Sequence, residues 1–225
     1  MATTLTVTQP IYFGSDGAHV VLKLTVLDMR IAMPAGYPPP GHGYAEIGLY
    51  FYPDDMDYVV IPGTSVRLER VDISLGDSAA IALESSGAET VQLVDCNIDC
   101  ADGIGMAYQV LAQAFSRFEL GGCQFAAAFD PGISPVNGYL NVEEPTDPAA
   151  VLVAKNCHFE NVGFWFSDNP TDGPTLEING CEFTRGLIAA GVLPDRPNVI
   201  SGNTGAGMEV TPAGMTAQDV QVVVS

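Results

Sequence analysis

Six stretches of this chain repeat one eight-residue spacing, with apolar residues at i, i+2, i+5 and i+7 and a break at i+4. The clearest is LEINGCEF, in which the four positions are Leu176, Ile178, Cys181 and Phe183. The same spacing holds Val66, Leu68, Val71 and Ile73; Val91, Leu93, Cys96 and Ile98; Phe118, Leu120, Cys123 and Phe125; and Leu152, Ala154, Cys157 and Phe159. A degraded sixth copy runs through Asn198, Ile200, Asn203 and Gly205. At i+4 stand Arg70, Asp95, Gly122, Asn156, Gly180 and Gly202. Period-two alternation places side chains on opposite faces of a strand. A Gly, Asn or Asp at one fixed offset marks a residue that takes positive φ and turns the backbone. Each copy therefore predicts strand, sharp corner, strand.

The copies begin at residues 66, 91, 118, 152, 176 and 198, so the corners are constant while the loops between them vary in length. A repeat of this size cannot bury its own apolar face and must stack on its neighbours. Strands stacked in this way make a parallel β-helix. Over residues 64 to 210 the pattern resembles the right-handed parallel β-helix superfamily, the pectate-lyase-like fold of polysaccharide lyases, glycosidases and phage tailspikes. The resemblance implies an all-β chain, a single-stranded right-handed parallel β-helix of about six rungs. It says little of activity, because one fold hosts many chemistries. YQVLAQAFSRF (108–118) also fits helical spacing, through Tyr108, Leu111, Phe115 and Phe118, and is read as mostly strand. Residues 1–62 lack a convincing corner. VLKLTVLDM matches through Leu22, Leu24, Leu27 and Met29 only with Val26 at the break, so 1–62 is expected to be a β cap or docking segment. Residues 63–210 form the helix, and 211–225 a closing strand or tail. AAIAL, AAAF, GFWF and GLIAAGVL are expected as the third strand of their rungs, and 129–150 as an inserted loop.

Charge and cysteine usage narrow the partners. The net charge of -19 comes with only two lysines and six arginines. Such a surface lacks the clustered cations that bind phosphate backbones or anionic lipid, so neither nucleic acid nor membrane insertion is expected. MATTLTVTQP lacks the basic then apolar start of a secretory signal. The chain is expected to be made in a host cytoplasm and to leave it by lysis or inside a particle. Cys96, Cys123, Cys157 and Cys181 share the i+5 slot. In stacked coils they form a core ladder whose parallel side chains suit neither disulfides nor a zinc tetrahedron, so buried free thiols are expected. Cys100 falls outside it, as a lining residue or an exposed thiol.

The outward column at i+6 is wholly polar: Asp72, Asn97, Gln124, His158, Glu182 and Thr204. Such a column is a solvated face or a ladder for sugar hydroxyls, and Gln124, His158 and Glu182 are its binding candidates. Trp165, with Phe164 and Phe166 turned inward, points out as an interface anchor or a sugar-stacking platform. Carboxylates cluster at Asp54, Asp55 and Asp57, at Glu143, Glu144 and Asp147, and at Asp168 and Asp172. Glycoside hydrolysis needs such a pair on either side of the bond. The Asn-Thr-Asp, Asp-Asp, Gly-His-Gly and Arg-Ile-Lys order of polygalacturonases is not met, since Gly41, His42 and Gly43 precede Asp54 and Asp55. A lyase base is represented only by Arg185 near Glu182. No catalytic residue, metal or cofactor is assigned. The expectation is a non-enzymatic structural or adhesive component of a phage particle, a decoration, spike or fibre protein. As partners it implies a homotrimer, other virion proteins and cell-surface polysaccharide. The alternative is a carbohydrate-active β-helix enzyme or its binding module.

Overall fold

Corners set the architecture. In the computed structural model all six i+4 residues are left-handed, with φ of 52° at Arg70, 50° at Asp95, 64° at Gly122, 53° at Asn156, 64° at Gly180 and 63° at Gly202. That conformation costs a non-glycine residue about 1 kcal/mol or more. Stacking compensates, because the corner N–H of each coil donates to a backbone carbonyl of the next: Arg70 to Val94 (2.9 Å), Asp95 to Gly121 (2.8 Å), Gly122 to Lys155 (3.0 Å) and Asn156 to Asn179 (3.1 Å). At Gly122 a Cβ would lie 2.4 Å from Asp95 Oδ1 of the neighbouring corner, so space as well as φ demands glycine there.

The structure describes residues 3–6, 11–14, 23–32, 49–53, 59–74, 82–100, 107–127, 138–143, 149–166, 173–189, 196–205, 209–210 and 221–224. Among them the strands form three sheets, of seven, eight and eight strands, and every pairing is parallel. The chain visits the sheets in fixed rotation. The leading sheet carries the strand before each corner, such as Arg117–Gly121 and Thr175–Asn179. The trailing sheet carries the strand after it, such as Gln124–Ala127 and Glu182–Thr184. The third sheet holds Ile11–Gly14, Leu49–Tyr52, Leu83–Ser86, Ala107–Gln113, Gly138–Glu143, Val162–Phe166, Leu187–Ala189 and Glu209–Val210. This is a parallel β-helix.

Matching residues stack in register around one interior. Ile31, Ile73, Ile98, Phe125, Phe159 and Phe183 form one wall column, each at most 1% exposed. Its aromatic part is a true stack, with ring centroids 5.2 Å apart for Phe125 and Phe159 and 4.8 Å for Phe159 and Phe183. Phe164 of the third sheet meets Phe159 edge-on at 5.2 Å and ties the walls together.

Three expectations change. The sheets do not break at residue 62, since Lys23–Leu27 pairs with Ile61–Glu69, Met29–Ala32 with Asp72–Ser74, and Leu49–Tyr52 with Leu83–Ser86. The first copy was displaced by two residues: Leu24 pairs with Val66 and Val26 with Leu68, which puts Asp28, at φ 51°, on the corner and Met29 and Ile31 after it. Of AAAF, Ala126 and Ala127 complete Gln124–Ala127 in the trailing sheet, and Ala128 and Phe129 lie outside the described residues; the third strand after this corner is Gly138–Glu143, inside the expected loop 129–150. The 108–118 stretch is strand, as read, broken at Ala114 with φ 47°. At the other end, Gln221–Val224 pairs with Val199–Asn203.

Candidate functional site

The i+5 and i+6 residues sit side by side in the chain and on opposite sides of the wall. Cys96, Cys123, Cys157 and Cys181 are free and at most 1% exposed. Their Sγ–H groups donate to backbone carbonyls: Cys96 to Val94 at 3.4 Å, Cys123 to Leu93 at 3.3 Å, Cys157 to Lys155 at 3.4 Å and Cys181 to Ala154 at 3.5 Å. Contacts with the neighbouring thiols, followed by burial, push Cys96 and Cys157 far above the ordinary thiol range. Among the described residues no three or more Cys, His, Asp or Glu converge on one point. Cys100 ends the strand Asn97–Cys100, and its backbone pairs with Ala127.

The column closes on an amide. Asn203 holds the i+5 slot of the last copy, 2% exposed, where its Oδ1 accepts from Cys181 N (2.9 Å) and its Nδ2 donates to Ile178 O (3.0 Å). Asn198, just before the same strand, does likewise, its Oδ1 accepting from Leu176 N at 2.9 Å. The degraded copy thus turns polar at two inward slots, and its two carboxamides satisfy backbone groups of the coil before it.

Outside, the polar column is continuous. Arg30 pairs with Asp72, and Asn97, Gln124, His158 and Glu182 follow in register, with Thr204 bridged to Glu182. His158 is half-buried and its Nδ1 lies 3.3 Å from Glu182 Oε2; the others are exposed. Gln124, His158 and Glu182 therefore share one face. Arg185 turns away from Glu182: its Nε donates to Asn161 Oδ1 at 2.7 Å and its Nη2 lies 3.8 Å from Glu160.

Trp165 lies on a different wall. Phe164 and Phe166 are fully buried, and the half-buried indole faces out, meeting Tyr139 edge-on at 5.5 Å. Its register column runs Tyr12, Tyr50, Glu84, Leu111, Asn141, Trp165. Tyr50 and Asn141 are only 2% and 5% exposed although they face outward. Tyr12 meets Tyr50 at a tilt of 42° with ring centroids 4.9 Å apart, and Tyr52 Oη donates to Glu84 Oε1. Burial, then the Glu84 carboxylate, push the Tyr52 phenol up out of the ordinary range. This second column was not read from the sequence; the tyrosines of LYFY, alternating with Leu49 and Phe51, were its signal. Asp54, Asp55, Asp57, Glu144, Asp147, Asp168, Asp172, His19, His42 and the Glu143 side chain lie outside the described residues.

No family model matches the chain, and no curated protein or solved structure matches it.

Proposed function

We propose that this chain is a structural or adhesive shaft of a virus particle, a decoration, spike or fibre-type component of the pectate-lyase-like β-helix superfamily that assembles as a trimer. The observation that carries the reading is the outward column from Arg30 to Thr204, seven coils of polar side chains in register on an apolar-cored shaft. A stack of coils resists bending because each is bonded along its whole strand length to the next. A regular polar face on such a shaft offers repeated hydrogen-bonding groups to a partner laid along it. The acidic surface supports the same reading, since it disfavours nucleic acid and keeps a crowded assembly soluble.

Sedimentation of the purified full chain is expected to give a stable trimer, and purified particles from its source are expected to contain it. A monomer that is absent from particles overturns the proposal.

A second reading, a carbohydrate-active β-helix protein or binding module, is favoured by the outward, half-buried Trp165 indole of the third sheet, whose register column starts at the exposed Tyr12. Loss of binding to a polysaccharide array in Trp165→Ala supports it. Release of reducing ends or unsaturated sugars, abolished by Glu182→Gln, would make the chain an enzyme.

A further inference from the structure

Four thiols in one line are more than core filler requires. The residues before them, Val94, Gly121, Lys155 and Asn179, pair strand to strand, and so do the residues after them, Asn97, Gln124, His158 and Glu182. Held on both sides, the four cysteines are offset by one strand spacing each, about 4.8 Å. Val71 bounds the line at one end and Asn203 at the other.

We propose that this column is a binding site for soft, two-coordinate d10 cations, each held on the line between the thiolates of neighbouring coils. A metal–thiolate bond is about 2.3 Å, so two in line span about 4.6 Å, close to the coil spacing of about 4.8 Å. Zinc needs four ligands converging on a point, which the column does not offer. Soft cations select thiolates, and a linear pair needs no space beside the line that the thiol protons and sulfurs do not already occupy. Charge then chooses among them. Two thiols and one Hg²⁺ give a neutral dithiolate and release two protons to solvent, with no change of oxidation state. A monovalent cation leaves one negative charge per pair in an apolar wall, at a high desolvation cost. The divalent ion is therefore favoured. Four thiols divide into two pairs that share no sulfur, Cys96 with Cys123 and Cys157 with Cys181, so two ions bind per chain.

Because every thiol is buried, the ion enters as the chain folds or as coils open locally. The test is anaerobic refolding of the full chain, with Cys100→Ala as background, in the presence of Hg²⁺, read by native mass spectrometry and X-ray absorption. Two ions per folded chain are expected, each with two sulfurs at about 2.3 Å. Three or four sulfurs per ion, or mercury on the unfolded chain alone, would overturn the proposal without any ladder variant. Adjacency is tested by two double variants with equal numbers of remaining thiols. Cys96→Ala with Cys123→Ala keeps one neighbouring pair and is expected to bind one ion. Cys123→Ala with Cys181→Ala leaves thiols two coils apart, and its affinity is expected to fall at least roughly a hundredfold, the loss that follows when a chelate is reduced to a single ligand. Equal binding by the two overturns it.

Discussion

The middle coils and the coil of the last copy use one backbone pattern for opposite chemistries. From Val91 to Phe183 the i, i+2, i+5 and i+7 positions are apolar, whereas the last copy places Asn198 and Asn203 at the first and third of these slots, buried at 6% and 2% exposure. In the middle, each wall residue lies between two like neighbours and gains from contact alone. At the last copy the stack meets different company, and the carboxamides spend their hydrogen bonds on Leu176 N, Cys181 N and Ile178 O. The difference teaches that a stacked core changes its chemistry at fixed geometry, with no new fold.

The strongest way to break this comparison is at the middle. Phe159→Ala removes the ring shared by Phe125, Phe183 and Phe164 and is expected to cost about 3–5 kcal/mol in denaturant unfolding. A loss under about 1 kcal/mol would mean that the stack is not a shared core. Asn203→Ala strands a donor and an acceptor and is expected to cost about 2–4 kcal/mol. Hydrogen exchange should show the loss first at Cys181 N, and Asn203→Leu should fail to restore it. If leucine rescues, the amide is packing and the two regions do not differ in kind.

Smaller effects sharpen the contrast. Cys123→Ala and Cys157→Ala, each leaving a gap in the wall, are expected to destabilise by about 1–3 kcal/mol. No change in either would place those thiols outside the core. The smallest effect belongs to the outside of the first corners. Arg70 holds the Asp28 carboxyl below its ordinary range through a hydrogen bond at 2.6 Å, and Arg67, then Arg70, do the same for Glu69. A carboxyl lowered by folding stabilises above its unfolded pKa and loses that contribution as pH falls through the folded value, hence below about pH 4. Asp28 and Arg70 are exposed and Glu69 and Arg67 half-buried at the surface, so the acid-side drop in melting temperature is expected to be slight and to shrink further in Arg70→Ala.

Legibility followed chemistry that repeats. The corners at Asp95, Gly122, Asn156, Gly180 and Gly202 could be read because only a few residue types take positive φ, and Arg70 was found by spacing alone. The thiol wall and the Gln124, His158, Glu182 face followed, since register carries one corner's geometry to every coil. The first coil was misplaced because VLKLTVLDM offers apolar residues in either register; Asp28, which also tolerates a left-handed backbone, was the deciding residue. The third sheet was least legible. Its strands follow loops of irregular length, and its outward column mixes Tyr50, Glu84, Leu111, Asn141 and Trp165, so no single residue type recurs to betray it.

The fixed rotation through three walls makes the molecule a ruler. Its length is a tally of leading corners, and since every coil touches only the two beside it, one graduation can be cut out without disturbing the scale. Joining Gly121 directly to Asn156 would delete residues 122–155 and bring Leu120 over Ile178, leaving a shorter rod whose remaining marks still line up.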